Sequence, residues 1–413
     1  YGGWILSTEK LNKIIDIEKK NKSAVLECGV VVKDFLKIID RENLFYPPFP
    51  TEKSALIGGN AATNASGEYS FKYGSTRSHI KKINVILPSG EMIGMERGQY
   101  RLNDNFHLPD KNHTFIPLPG YSLPGVKNTA GYHIYNGSDL IDLFIGSEGT
   151  LGLISRVEIS LIDRIPELFY LLLFFPSSSN PDKIIEKIRS TDFSENMLIA
   201  EYFDCNSLRL LKPFYPSFPR RAGFALLLGL SGLSEQLLCS IKNNLSPFRL
   251  LDDWLAATAY DIDLIYKLRL RLPEEVNKLV KSSGYPKLST DIAVPSAYTN
   301  DMRLCYEKIL QKNPIRHVIF GHIGENHLHV NLMPENKKQF NTAQIIYRQF
   351  LCTGIHFGGT ISAEHGIGKK KSCYLPLMFG SGSISEMKNI KNALDPDNLF
   401  CRGNIFPESC SVV

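Results

Sequence analysis

IGGNAATNASG, residues 57–67, is the stretch on which the reading of the fold turns. Gly58 and Gly59 remove Cβ atoms and permit positive φ, so that a backbone can approach a ligand closely. Backbone N–H groups, with Asn60, Thr63, Asn64 and Ser66, then offer hydrogen bonds to a phosphate, a ribose or a heterocycle. Alone, Gly-Gly-Asn reads equally well as a bare turn. Three further blocks strengthen the ligand reading: Lys72-Tyr73-Gly74, KNTAGY (residues 127–132) and IGSEGTLGLI (residues 145–154). No GxGxxG follows a predicted strand, which leaves a Rossmann reading without support.

Two blocks near the other end carry a different chemistry. FGHIGENHLHVN (residues 320–331) is followed by GGTISAEHGIG (residues 358–368). In a strand, His327, His329 and Asn331 share one face, with Leu328, Val330 and Leu332 on the other. His322 precedes a glycine turn that can fold it back towards His329. Glu364 and His365 follow the Gly358-Gly359 pair. Imidazoles with a carboxylate and open positions describe a catalytic metal site, not a closed structural one. Nitrogen and oxygen donors suit Zn²⁺, Mn²⁺, Fe²⁺ or Co²⁺. For any single histidine, a surface position is the simpler reading; the set is what points to metal or catalysis.

The 413 residues exceed one ordinary core and imply two domains. The apolar share (43%) and charged share (22%) are those of a soluble globular chain. The net charge of +5 comes from scattered basic residues, which argues against a nucleic-acid partner. No apolar run reaches the ~20 residues of a spanning helix. Eight cysteines lack CxxC or CxxCH spacing. A reduced compartment follows, and electrons must leave through another molecule.

Along the chain, residues 3–7 and 23–30 read as strands and residues 32–39 as an amphipathic helix. Residues 82–87 and 91–94 form a hairpin around Pro88-Ser89-Gly90. Residues 99–126, rich in proline and glycine, read as an irregular excursion. Strands at 167–175 and 223–230 then alternate with helices at 183–189 and 234–244. Two strands within 315–333 flank a glycine loop. A terminal helix over 384–394 is stopped by Asp395-Pro396.

PPFPTEKSALIGGNAATNASG and DLFIGSEGTLGLI, with the two histidine blocks, resemble the vanillyl-alcohol oxidase/PCMH superfamily of FAD-linked oxidases. The resemblance is nearest to its D-2-hydroxyacid dehydrogenase branch, which holds D-lactate dehydrogenases, the glycolate oxidase catalytic subunit and D-2-hydroxyglutarate dehydrogenase. It spans essentially the whole chain. It implies an α+β fold: a PCMH-type FAD-binding domain over 1–163, then an α/β-sandwich substrate (cap) domain over 164–408 with an antiparallel sheet and a C-terminal metal-site segment. By resemblance, Pro50, Thr51, Gly58, Gly59, Asn60, Thr63, Asn64 and Gly67 line the flavin and pyrophosphate. Gly146, Ser147, Gly149, Gly152 and Ile154 meet the adenosine half. His322, His329 and Glu364 fall on metal-ligand positions, with Zn²⁺ or Mn²⁺ favoured, and His365 on the catalytic base. Arg269, Lys287 and Asn331 are the substrate-binding candidates, with Arg271 replacing Arg269 if the register slips.

Three departures are visible. The family's HIGDGNLH is HIGENHLH here, so His327 either adds a ligand or disturbs the turn. DPDNLFCRGNIF replaces DPxNxxNPGKIF; Cys373 and Cys401 read as packing residues. Tyr1-Gly2-Gly3-Trp4 falls where a glycine-rich pyrophosphate loop should end, so the FAD domain is expected to be N-terminally incomplete.

The expected reaction is oxidation of a small anionic D-2-hydroxy acid, D-lactate-like, to the 2-oxo acid. Reduced FAD passes electrons to a quinone, a cytochrome or an electron-transfer flavoprotein. D-2-hydroxyglutarate and glycolate are the alternative substrates. A flavin-free or truncated non-catalytic homologue and a metal hydrolase are the alternatives of other classes. The expected location is cytoplasmic, with peripheral contact at the inner membrane left open.

Overall fold

The computed structural model describes residues 3–407. It divides into two compact units, Tyr1–Arg164 with Ser362–Val413, and Ile165–Ile361. All named strand pairings are antiparallel.

The first unit is built on a five-stranded sheet. Its strands are β1 (Ile14–Glu18), β2 (Ser23–Glu27), β3 (Ile80–Ile86), β4 (Met92–Glu96) and β5 (Leu153–Ser160), in the order β1-β2-β5-β3-β4. In β3 the buried residues Ile80, Ile83 and Val85 do not follow a strict period of two. Register shifts between Ile80 and Lys82 and between Asn84 and Val85 restore the match with β5. A bulge moves later side chains to the other face, which is how IKKINVI keeps its apolar residues inside. Helix α1 (Val32–Arg41) buries Val32, Phe35 and Ile39, one helical stripe. The excursion over 99–126 holds no strand or helix. It is nevertheless packed, burying Leu102, Phe106, Leu108, Ile116 and Tyr121.

Two expectations are corrected here. Residues 3–7 form no strand; Trp4 and Ile5 are fully exposed, and the first strand begins at Ile14. Among the described residues nothing covers Trp4 or Ile5. The glycine block does not form an open loop at its start: Ile57–Thr63 is a short helix, α2, ended by Asn64 in the left-handed region. Neither Gly58 nor Gly59 has positive φ. A Cβ on Gly58 would lie 2.5 Å from Cys28 Cβ, so this glycine serves helix–sheet contact, not a left-handed turn.

By its contacts the segment after residue 361 groups with the first unit. Hydrogen bonds account for this. Thr129 N donates to Ser362 O (2.8 Å), and Gly366 N donates to Thr129 Oγ1 (3.1 Å). The terminal helix Leu375–Leu394 carries buried Lys391, whose Nζ donates to Thr150 O (2.7 Å) and Phe400 O (3.1 Å) and pairs with Asp395. Tyr1, Gly2 and residues 408–413 lie outside the described residues, so the expectation about the start of the chain falls partly there.

His133, in this unit, is held neutral. Burial, with the nearby Arg77 charge, lowers its pKa from 6.5 to about 4. A histidine depressed in the native state contributes stability above its unfolded pKa and loses it as pH falls. We expect stability to fall by about 1–2 kcal/mol between pH 6.5 and 4, since the ring keeps some solvent contact. Urea unfolding of wild type and His133→Gln across that range checks this. An unchanged pH slope in the variant would dismiss His133 as the source.

The second unit centres on an eight-stranded sheet. Its strands are β6 (Phe169–Phe175), β7 (Met197–Asp204), β8 (Phe224–Leu230), β9 (Asp252–Ala256), β10 (Leu288–Ser289), β11 (Ile292–Ala293), β12 (His317–Gly321) and β13 (His327–Leu332). The order is β9-β6-β8-β7-β12-β13-β10, with β11 also pairing β13. FYLLLFF and FALLLGL are buried at every position, as strands covered on both faces must be. Helix Ala259–Ser283 runs 25 residues through Pro273 and buries Ile265, Leu268, Leu272 and Val276. Among the described residues no helix is long and apolar enough to cross a membrane.

Candidate functional site

In the second unit, β12 ends at Gly321 and β13 begins at His327, with a single 3-10 turn (Ile323–Glu325) between them. Asn326 takes the left-handed conformation that closes the turn. This brings His322 back beside β13. Ring centroids of His322 lie 5.6 Å from His327 and 5.7 Å from His329, and those of His327 and His329 are 4.4 Å apart. Gly321 (φ +134°) is required here: a Cβ would stand 2.9 Å from His329 Cδ2.

His322 and His329 each have an acceptor on one nitrogen, and His327 has a carboxylate oxygen close by. His322 Nδ1 lies 3.1 Å from Glu201 Oε1, His327 Nε2 lies 3.1 Å from Asp291 Oδ1, and His329 Nδ1 lies 3.0 Å from Thr290 O. One ligand atom of each ring lies within 4.8 Å of those of the others. Asn331, two residues along the same face, is buried, and among the described residues its Nδ2 has no hydrogen-bond partner. A buried donor in that position suits an oxygen ligand.

Glu201 was not foreseen. It sits on β7, 3% exposed, in the run MLIAEYFD, which also carries Asp204. Arg269 Nε and Nη2 donate to its Oε1 (3.1 and 2.7 Å). Burial alone would raise the Glu201 pKa, but Arg269 and His322 hold it far below the ordinary carboxylate range. Arg269, expected on substrate, therefore reaches the imidazoles through Glu201. An acid in the middle of a buried, mostly apolar strand was the available signal. Lys287 is not drawn into the cluster. It precedes Leu288, the partner of Leu332, and its Nζ donates to Asn277 Oδ1 (3.1 Å).

Glu364 and His365 belong to the first unit. Lys127, of the KNTAGY block, donates to Glu364 Oε2 (2.9 Å) and Ser70 Oγ (3.0 Å). The His365 side chain is 56% exposed, with Nε2 3.6 Å from Glu364 Oε1. The loop beyond it is pinned by Glu148, whose carboxylate accepts from Ile367 N (2.6 Å) and Gly368 N (2.7 Å). Glu148 (φ +55°) follows Gly146 (φ +84°) in GSEGT, which turns its side chain to that loop.

A cavity of 590 Å³ in the first unit is lined by Gly59, Thr63 and Gly149 of the expected cofactor residues, with Glu148, His365 and Lys369 to Lys371. The other expected residues serve the framework. Asn64 Oδ1 accepts from Arg77 N (2.9 Å), Ser147 Oγ donates to Phe144 O (2.8 Å), and Ile154 pairs with Val85. Cβ atoms on Gly67 and Gly152 would meet Phe49 O (2.1 Å) and Val85 Cγ1 (2.7 Å). Gly146 lies against Arg77 and Asn64, Asn60 and Pro50 are buried, and Thr51 is exposed. Ser66 Oγ is buried with no partner among the described residues. Small walls beside a lysine run suit a nucleotide cofactor, whose plane needs close backbone and whose phosphates need cations.

Residues 169–405 match the family described as FAD linked oxidases, C-terminal domain, and residues 1–96 match an FAD binding domain. The chain belongs to the FAD-linked oxidases. This oxidase is 26% identical over 409 residues to the glycolate oxidase subunit GlcD of Bacillus subtilis, covering 98% of the chain and 80% of that protein. It is 27% identical over 418 residues to a D-lactate dehydrogenase of Anaerostipes hadrus, with the same two coverages, 98% and 80%. A D-2-hydroxyglutarate dehydrogenase of Stutzerimonas stutzeri is 25% identical over 419 residues, covering 98% of the chain and 82% of that protein. In fold, the oxidase is similar to p-cresol methylhydroxylase with substrate bound: TM-score 0.68, 13% identity, 97% of this chain and 79% of that one.

Proposed function

We propose that this FAD-linked oxidase converts a D-2-hydroxy acid, D-lactate or a close relative, to its 2-oxo acid. The observation that carries the reading is the cluster of three imidazoles, two of them buried, on the strand of Asn331, whose buried Nδ2 has no hydrogen-bond partner among the described residues. Bound FAD supplies the acceptor for the C2 hydride, and a bound divalent cation lowers the pKa of the 2-hydroxyl. On the protein's side, His322 and His329 hold the cation, and Glu364 is assigned the same task from its motif. Asn331 donates to a substrate oxygen. Arg269 acts by fixing Glu201, and thereby His322. His365, exposed and next to Glu364, accepts the hydroxyl proton as general base. Gly59, Thr63 and Gly149 leave room for the cofactor's approach. A quinone, a cytochrome or an electron-transfer flavoprotein would take the electrons from the reduced cofactor. The named relatives act on glycolate, D-lactate and D-2-hydroxyglutarate, which share the 2-hydroxy acid group and differ beyond C2.

The test is a visible spectrum of FAD-loaded protein before and after anaerobic addition of each of the three acids. Bleaching of the flavin band by at least one is expected, and by its D form where the acid is chiral. A loaded protein whose band survives all three would defeat the proposal. In the same assay His365→Ala should slow bleaching by about 10²–10⁴-fold while leaving metal content intact; equal loss of metal would remove His365 from the role of base.

A further inference from the structure

We infer that His327, which stands where the related motif has asparagine, is a third imidazole ligand of the metal, and that the site therefore selects Zn²⁺ over Mn²⁺. The inference rests on the metal centre proposed above and extends it to a residue peculiar to this chain.

His327 opens β13, and its side chain is wholly buried, as is that of Asp291. Its ring is nearer to His329 (4.4 Å between centroids) than either ring is to His322. Each ring has an oxygen close to one nitrogen. Glu201, Asp291 and the Thr290 carbonyl each sit at 3.0–3.1 Å from one nitrogen of His322, His327 and His329 respectively. An acceptor on one imidazole nitrogen fixes the proton there and leaves the opposite nitrogen as the lone-pair donor. Metal-bound histidines show this arrangement almost without exception. The geometry thus assigns Nε2 of His322 and Nε2 of His329 as donors, and it brings a ring nitrogen of His327 within 4.8 Å of the other ligand atoms.

A packing role explains His327 less well. Packing alone gives no reason to place an imidazole against a carboxylate where both are removed from water, beside two more imidazoles. Three imidazoles also change the preference of the site. Nitrogen-rich, low-coordinate sets favour Zn²⁺, whereas Mn²⁺ favours carboxylate and water oxygens.

The experiment uses the full-length chain loaded with Zn²⁺. X-ray absorption at the zinc edge should require three imidazoles in wild type and two in His327→Asn. Metal analysis after dialysis against mixed Zn²⁺ and Mn²⁺ should show zinc retained in wild type. Zinc affinity should fall at least about tenfold in His327→Asn and about tenfold in Asp291→Asn. His329→Ala is the reference, since it removes a ligand under the metal reading with or without His327. Loss of metal in His329→Ala with an unchanged zinc affinity and imidazole count in His327→Asn overturns the inference alone. Unchanged metal binding in both variants overturns the metal centre itself. If His327→Asn does not fold, the wild-type imidazole count decides: two rings sink the proposal, three support it.

Discussion

An Asp142→Ala variant is expected to lose about 3–5 kcal/mol of stability in the first unit. Asp142 lies in the short helix Leu140–Phe144, all five residues of which are buried. Its Oδ1 meets Arg77 Nη1 at 3.1 Å and Arg97 Nη2 at 3.0 Å, and its Oδ2 meets Arg97 Nη1 at 3.1 Å. Burial would raise its pKa, yet the two guanidinium groups hold it below the ordinary value. Removing the carboxylate leaves two like charges facing each other with little water, and breaking a buried pair costs far more than forming it contributes. The damage extends beyond the pair. Arg77 also donates to the carbonyls of Asp142 and Ile145, and Arg97 to those of Ile80 and Arg77. The cluster therefore ties β3 to the turn that enters GSEGT, a wall of the proposed cofactor cavity. Urea unfolding followed by circular dichroism should show the loss, with FAD retention falling in parallel. Asp142→Asn, which keeps the shape and some hydrogen bonds, should lose less. A loss under about 1 kcal/mol in the alanine variant would mean the two arginines find other partners and the cluster is not a keystone of the unit.

That cluster shows why only part of this chain is legible in its sequence. Alternation and apolar runs located the cores of most strands, because each needs only its own neighbours: SAVLE, FYLLLFF and FALLLGL declare themselves. HLHVN placed His327 and His329 on one face, and their rings do meet. The helix Ala259–Ser283 went unread because Pro273 looks like a break. Residues 3–7 were read as a strand from composition alone, although strand pairing needs a partner that the sequence does not name. The return of the chain after Ser362 depends on Thr129, Thr150 and Glu148, more than two hundred residues away, and no local pattern encodes it. The glycines of the cofactor block are legible as necessary, and the fold adds a packing reason for two of them. Gly58 and Gly67 admit neighbouring protein atoms, and only Gly59 of the three opens on the cavity. Glu201 was the costly omission, since a buried acid in an apolar strand demands a cation somewhere.

Replacing Glu201 with Ala is expected to cost the second unit about 3–5 kcal/mol and to weaken metal binding about 10–100-fold. The two effects have separate origins. Stability falls because Arg269, 14% exposed, loses the carboxylate that both its Nε and its Nη2 address. That contact joins helix Ala259–Ser283 to β7, so an uncompensated guanidinium would pull the helix from the sheet. Metal affinity falls because His322 Nδ1 loses the acceptor that fixes its ring and its protonation. Two further variants separate the origins. Glu201→Gln keeps an oxygen for His322 but removes the charge, so stability should drop more than metal affinity. Combining Glu201→Ala with Arg269→Met removes both charges, and stability should largely recover while metal binding stays weak. Thermal unfolding and zinc titration of the three proteins read the two quantities independently. Should the double variant regain metal affinity along with stability, Glu201 acts on the imidazoles only through general folding. Should Glu201→Ala bind zinc as wild type does, the acceptor behind His322 is not part of the site's design.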